Sequence, residues 1–357
     1  MPRNPQTIRF VTTEDGARLA WAESGAGPLV VKAANWLSHL EYDWDSPVWR
    51  HWIQFFSRVG RFVRYDERGC GLSDWATSNL SLDRWVRDLE LVVDAARPAE
   101  PFTLFGISQG APVCVAYAAK HPERVSKLLL YGGYVRGIAR RGNPQAALER
   151  EAIEALARTS WGKDDPAFRQ VWTSRFIPGA NPEQMGWWNE LCRKSTSGPA
   201  VADLMAARSV VDVEPLLAQV QAPTLVLHAR ADAAVPSSEG RLFAAGIPRA
   251  QSVELDSANH ILLEREPAWP RFCDAVLDFL GVADPPGPAD SPFAGLSARE
   301  RQILSLMGEG LGNLDIAERL NISDKTVRNQ VSKLFDKLGV WTRAQAIVFA
   351  KERGFKG

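Results

Sequence analysis

The sequence predicts an α/β chain: a mostly parallel sheet flanked by helices and interrupted by a helical insertion over about 133–211, then a small all-α unit of four helices. Three observations predict it. Short β-rich apolar runs alternate with helix-length amphipathic segments over residues 1–280, a Pro-rich stretch at 281–294 breaks every period, and repeated helix-capping signals fill 295–357. Alternation of the first kind belongs to parallel sheets covered on both faces. At 357 residues, 45% hydrophobic and 24% charged, the chain can bury a core in each unit, which excludes disordered and collagen-like classes.

The elements follow in order. Thr7–Thr12 and Arg18–Glu23 flank Asp15-Gly16, a hairpin signal that gives an antiparallel lead-in. Buried strands are expected at Pro28–Ala33, Arg61–Tyr65, Pro101–Ile107, Val125–Tyr131, Pro223–Ala229 and Ser252–Leu255, with helix-length segments between them. Between about Gly133 and Val211 the strand spacing fails, and a long helical stretch carries Trp161, Trp172, Trp187 and Trp188, as an inserted lid would. The four cysteines stand far apart with no CxxC pair, so reduced thiols are expected rather than a disulfide framework or thiolate metal site. No cofactor or metal is called for. Met1–Gly16 lacks an apolar run and no stretch of about 18 apolar residues occurs, so a cytoplasmic chain with no membrane partner is expected.

Charge divides the two units. The formal net charge is +0, but the 63 residues from Gly295 carry +4 and the 294 before them −4. A small basic end on an acidic body suggests that only the end meets a polyanion.

The first chemical motif is Gly106-Ile107-Ser108-Gln109-Gly110, lying between the PFTLF strand and the helical APVCVAYAAK. A G-x-S-x-G in that context is a strained strand-to-helix turn that lifts the serine hydroxyl above the sheet, with the amide of Gln109 available to an oxyanion. A serine nucleophile needs a base and an orienting acid, in the chain order Ser, acid, His for this topology. Asp232 follows the PTLVLHA strand and His260 follows the SVEL strand. The other histidines (His39, His51, His121, His228) hold no such position.

With Tyr65–Asp74 (YDERGCGLSD) matching a D-x-R-G-x-G-x-S segment, the first 280 or so residues resemble the α/β-hydrolase family. The resemblance implies an α/β-hydrolase-like sheet with a helical lid, Ser108 as nucleophile, Asp232 as orienting acid, His260 as base and Gln109 as one oxyanion donor. Where the family carries His-Gly after the third strand this chain has Lys32-Ala33-Ala34-Asn35-Trp36, which leaves Trp36 as the second donor. Trp49 and Trp52 read as core. Asn35, Trp36, Trp44, Trp187 and Trp188 are the expected walls of an apolar pocket for a small hydrophobic or aromatic ester, lactone or ketone.

In the C-terminal unit, Ser297 to Glu300 is a capping box opening a helix through Ile303, Leu304 and Met307. Asn313 is expected to cap a short helix with Ile316, Ala317 and Leu320 on one face, Asn321-Ile322-Ser323 turns the chain, and Ser323 caps DKTVRNQVSKLFDKL. Val327, Val331, Leu334 and Leu338 form one stripe of that helix. Lys325, Thr326, Arg328, Asn329, Ser332, Lys333 and Lys337 lie off it, a set suited to base edges and phosphates. Thr342 to Gln345 caps a last helix that ends near Gly354.

This helix-turn-helix arrangement, in the string from Leu296 to Ala346, resembles the LuxR-type DNA-binding domain over nearly its full length, with Leu314 where a lysine is common and Gln330 where a histidine is. The resemblance implies promoter DNA as a partner, the Ser323 helix in the major groove and a homodimer through the last helix. Two functions compete: a transcription regulator whose hydrolase-like domain binds, and slowly hydrolyses, a small hydrophobic effector; or a working esterase-like or C–C hydrolase whose terminal bundle serves assembly. Domain order and linker favour the first.

Overall fold

The computed structural model describes residues 6–75, 77–163, 166–282, 293, 296–320, 322–353 and 355. They fall into two compact units, one ending at Val282 and the other C-terminal to it. Of the expected Pro-rich linker, only Gly281, Val282 and Phe293 are among the described residues; Asn321 and Gly354 lie outside them.

The larger unit runs β1 (Thr7–Thr12), β2 (Arg18–Ser24), β3 (Leu29–Lys32), α1 (Leu40–Trp44), α2 (Arg50–Val59), β4 (Arg61–Tyr65), α3 (Leu82–Ala96), β5 (Phe102–Ile107), α4 (Gly110–Lys120) and β6 (Val125–Tyr131). Four helices are then inserted, α5 (Pro144–Ser160), α6 (Pro166–Phe176), α7 (Pro182–Ser195) and α8 (Gly198–Ser209). The sheet resumes with β7 (Thr224–Ala229), α9 (Ser237–Gly246), β8 (Gln251–Leu255) and α10 (Ala268–Leu280). The eight strands form one sheet in the order β1-β2-β4-β3-β5-β6-β7-β8, antiparallel at β1/β2 and β2/β4 and parallel elsewhere.

Strand β5 shows why the central runs are continuously apolar. Phe105 meets Phe56 of α2 at 4.5 Å between ring centroids, and Phe102 meets Tyr117 of α4 at 6.2 Å. Residues three apart in a strand point to opposite faces, so both faces of β5 are covered and all six of its residues are buried. On the α2 face Trp52 packs on Trp269 and Phe272 of α10, at 4.9 and 4.7 Å. The expected core role of Trp49 and Trp52 holds, each being buried.

The YDERGCGLSD segment is architectural. The Asp66 carboxylate accepts the amides of Leu40 and Leu72 at 3.1 and 2.9 Å, and Ser73 Oγ donates to Asp66 O at 2.6 Å while accepting Ala20 N–H at 2.9 Å. Arg68, fully buried, makes a two-toothed pair with Asp88 of α3, Nε to Oδ2 and Nη2 to Oδ1 at 2.7 Å each, and a third bond to Asp15 of the β1–β2 turn at 3.0 Å. The segment therefore ties the hairpin, the β4 loop and α3 to one cation.

The smaller unit is α11 (Ala298–Gly308), α12 (Asn313–Arg319), α13 (Asp324–Leu338) and α14 (Arg343–Glu352). Ser297 and Thr342 make the expected capping boxes with Glu300 and Gln345, and Ser323 caps α13 through the amide of Thr326. One expectation is corrected: Asn313 is the first helical residue of α12 rather than its cap, because the Gly312 N–H is held by the Asp315 carboxylate at 2.9 Å. Ile303, Leu304, Met307, Ile316, Val327, Val331, Leu334 and Leu338 are buried together in a core of their own. None of the four cysteines is in a disulfide, and three are buried. Among the described residues no helix is long and apolar enough to cross a membrane.

Replacing Arg68 by alanine leaves Asp88 buried without its counter-charge. Loss of one member of a buried ion pair costs about 3–5 kcal/mol, so Arg68→Ala is expected to lower the unfolding free energy of the larger unit by that amount, read as a lower urea midpoint at unchanged slope, and an unchanged midpoint refutes the role.

Candidate active site and helix-turn-helix surface

Ser108 sits on the turn between β5 and α4 with φ +51°, a left-handed conformation that a non-glycine residue adopts at a cost. The neighbouring glycines explain how the turn closes: a Cβ on Gly106 would lie 2.6 Å from Ala111 Cα, and one on Gly110 3.0 Å from Ala34 O. The Ser108 amide donates to Tyr131 O at 2.9 Å, pinning the turn to the end of β6. Its Oγ is buried and has no hydrogen-bond partner.

At the ends of β7 and β8 the other two residues meet. His260 Nδ1–H donates to Asp232 Oδ2 at 2.6 Å, and Asp232 Oδ1 accepts the amides of Ala234 and Val235 at 2.8 and 3.0 Å. Burial pushes the Asp232 carboxyl up, but the charge and hydrogen bond of His260 and the Val235 amide outweigh it and hold the group below the usual carboxylate range. The pairing leaves His260 Nε2 buried and unpartnered, like Ser108 Oγ. The sequence reading passed over His228, which lies beside the pair with Nε2 3.6 Å from Asp232 Oδ2 and donating to Val235 O at 3.0 Å. Burial holds its imidazole below the usual range, against the pull of the Val235 carbonyl and the Asp232 charge. Its position four residues before Asp232, at the end of an apolar strand, was the available signal.

Trp36 lies across the turn. Its backbone N–H points at the Gln109 side-chain carbonyl at 3.4 Å, so the amide on the loop after β3 faces an oxygen beside Ser108. Asn35, expected in the pocket wall, is drawn beneath it instead: its Oδ1 accepts from the buried Lys32 ammonium, and the two border a separate cavity of about 20 Å³ with Asp43, Trp49 and Arg64. Burial pushes Lys32 down to about 8 and Asp43 up to about 7.

A larger cavity of about 150 Å³ adjoins the site. Trp36 and Gln109 line it from the sheet side; Trp172 and Phe176 of α6, Met205 of α8 and Val235 complete its apolar wall. Trp36 is the hub, with Trp161, Trp172 and Phe176 at 5.8, 5.1 and 5.6 Å. Phe176 also stands edge-on to His260 at 5.4 Å. One main-chain bond and one to a side chain fasten this insertion to the histidine loop, from Ile261 N to Phe176 O at 3.2 Å and from Gly179 N to Asn259 Oδ1 at 2.8 Å. The expectation for Trp44, Trp187 and Trp188 is corrected, since none of them borders this cavity. Successive residues of a helix point about 100° apart: Trp188 turns inward to stack on Phe176 at 5.4 Å, while Trp187 stacks on Tyr42 at 4.9 Å and Trp44 is half-buried. Trp161, Trp172 and Phe176 were within the stretch read as a lid, but nothing in their spacing singled them out.

On α13, Lys325, Thr326, Arg328, Asn329, Ser332, Lys333 and Lys337 are all exposed, opposite the buried stripe. Three are engaged within the unit: Thr326 Oγ1 shares a hydrogen bond with the Ser323 hydroxyl at 2.8 Å. Arg328 pairs with Asp324 one turn earlier, and Lys337 donates to Glu300 of the α11 capping box at 2.7 Å, fastening α13 to α11. Among the described residues no group of three or more histidines, cysteines or acids is placed to hold a metal ion.

Comparison with known proteins agrees with both halves. Residues 51–267 match the family described as Serine aminopeptidase, S33, and residues 294–350 match Bacterial regulatory proteins, luxR family. The AB hydrolase superfamily protein YisY of Bacillus subtilis is 22% identical over 253 residues, 70% of this chain and 91% of that protein. The DNA-binding transcriptional activator DevR/DosR of Mycobacterium tuberculosis is 51% identical over 61 residues, 17% of this chain and 28% of that protein. Among solved structures, a hydrolase from Pseudomonas aeruginosa PA01 is similar with a TM-score of 0.64 at 25% identity, covering 77% of this chain and 99% of that one.

The geometry around Asp232 predicts a pH effect. A carboxyl whose folded pKa lies below its unfolded value near 4 contributes stability that is present above the unfolded pKa and is lost as pH falls through the folded one. Asp232→Asn is therefore expected to flatten the acid limb of the stability profile below about pH 4. An acid limb identical to wild type in thermal melts at stepped pH contradicts this account.

Proposed function

We infer, for a chain that belongs to the α/β-hydrolase family and carries a LuxR-type DNA-binding domain, that it is a DNA-binding transcription regulator whose hydrolase-like unit binds and slowly hydrolyses a small hydrophobic effector. The observation that carries this reading is the His260–Asp232 pair at 2.6 Å, with His260 Nε2 and Ser108 Oγ both buried and both without partners, beside an apolar cavity. Two buried polar atoms with nothing to bond are costly unless a function uses them.

In the proposed reaction His260 Nε2 takes the Ser108 proton as Oγ attacks an ester or lactone carbonyl, and Asp232 stabilises the imidazolium through Nδ1–H. The amides of Gln109, at the start of α4, and of Trp36 receive the oxyanion. The leaving oxygen takes the proton from His260, and water, activated by the same base, frees the acid. The Gln109 carbonyl must leave the Trp36 amide for this to occur. That rearrangement, and release of an insertion fastened to the histidine loop, support slow turnover. A regulator gains from slowness: a tenfold change in DNA affinity needs only about 1.4 kcal/mol of differential effector binding, provided the effector lasts.

On the DNA side, α13 enters the major groove with Arg328 and Asn329 at base edges and Lys325, Thr326, Ser332, Lys333 and Lys337 at phosphates. One recognition helix buries little surface, so the chain acts as a homodimer on a two-fold site, with exposed Ala344 and Val348 of α14 at the contact. A cytoplasmic setting follows from the DNA partner.

Two experiments test the reading. With duplexes selected from a random pool, Arg328→Ala or Asn329→Ala should cost about 1–3 kcal/mol and relax sequence preference, while Lys333→Ala should weaken all duplexes alike and flatten the salt slope by about one; unchanged affinity in all three moves recognition off α13. With p-nitrophenyl acetate as probe, Ser108→Ala should abolish turnover yet leave affinity for the selected duplex as in wild type. Turnover surviving in Ser108→Ala removes the serine from the chemistry.

A further inference from the structure

The cavity beside Ser108 is apolar in its body but not in its charge. Among the described residues four arginines reach its wall, Arg141 from the loop after β6, Arg150 of α5, Arg175 of α6 and Arg208 of α8, and no carboxylate lines it. Three of these cations are balanced from outside. Arg141 lies 3.5 Å from Glu239, whose other oxygen is taken by the amides of Val135 and Arg136; Arg208 pairs with the buried Glu67; and Arg150 pairs with Glu154 at 2.5 Å. Arg175 is half-buried and pairs with no carboxylate among the described residues. The Nε of Arg150 is buried without a hydrogen-bond partner. A cation partly removed from water and left without a counter-charge is unfavourable, and so is an unused buried N–H.

One class of ligand relieves all of this. We propose that the effector is a small apolar carboxylic acid derivative, its carboxylate received by Arg175 and Arg150 and its hydrocarbon body held against Trp36, Trp172 and Phe176. A guanidinium presents a planar fork of N–H donors that matches a carboxylate with short, charge-assisted bonds. The walls limit the body: a cavity of about 150 Å³ is of the size that holds benzene in an engineered core, so the body is about one ring or a short chain. The position of the arginines also orients the ligand. Gln109, next to Ser108, and Phe176, which stands against His260, line the same cavity as Arg175, so a ligand filling it reaches from the arginine to the neighbourhood of the serine. A half-ester or an acidic lactone would offer a second carbonyl there.

This inference rests on the effector-binding reading of the hydrolase-like unit, but its test uses neither turnover nor DNA, so the two fail separately. Full-length Ser108→Ala protein is titrated by calorimetry with phenylacetate and with phenylacetamide, which share the ring and differ in charge. Phenylacetate is expected to bind at least tenfold more tightly, with an affinity that falls as salt rises. In the Arg175→Gln background the preference should shrink to within about threefold, with a smaller loss in Arg150→Gln. Equal binding of acid and amide, binding of neither, or a preference that survives both substitutions overturns the proposal. Loss of p-nitrophenyl acetate turnover in wild type would refute the hydrolytic reading alone.

Discussion

The left-handed backbone at Ser108 is the constraint on which the site depends. A β-strand that must become a helix within two residues, with a non-glycine side chain at φ +51°, needs empty space on both sides of the turn. Gly106 and Gly110 supply it by letting the Ala111 and Ala34 backbones approach where a methyl group would collide. From that turn α4 starts against the loop after β3, which brings the Trp36 amide and the Gln109 side chain together. The parallel order of β5, β6, β7 and β8 then aligns the strand ends, and the loops after β7 and β8 deliver Asp232 and His260 to the same edge. Ligand sites at the carboxyl ends of parallel strands have this origin.

Buried charge is used in two different ways in the larger unit. Arg68 is closed by Asp88 and Asp15, and it holds three separate segments in register. The arginines around the cavity are arranged otherwise. Arg141, Arg150 and Arg208 have carboxylate partners that are not among the cavity's lining residues, while Arg175 has none among the described residues. The first arrangement completes the fold, and the second places cations on the wall of a cavity.

The smaller unit needs no such devices. Its stability comes from capping side chains at three helix starts and one apolar core, and Lys337, on the exposed basic face of α13, also serves that architecture through Glu300. The basic surface of α13 that remains is a consequence of periodicity: the stripe that Val327, Val331, Leu334 and Leu338 bury fixes which residues face outward.

Periodicity is also why so much was legible beforehand. Strand positions, the helical insertion, the capping boxes, the turn at Ser108 and the order of Ser108, Asp232 and His260 depend on local pattern and on strand ends, both of which are written along the chain. Tertiary packing decided the rest. Trp36 and Trp172 border the cavity while Trp44, Trp187 and Trp188 do not, because helix rotation about its axis is set by the surface a helix lands on. Asn35 is turned away by a lysine three residues earlier, and His228 is brought to Asp232 by the strand it ends. The four arginines come from four segments across 68 residues, with no spacing in common. Their convergence exists only once α5, α6 and α8 are folded over the sheet, since side chains separated along the chain share one electrostatic environment only when long-range packing brings them there.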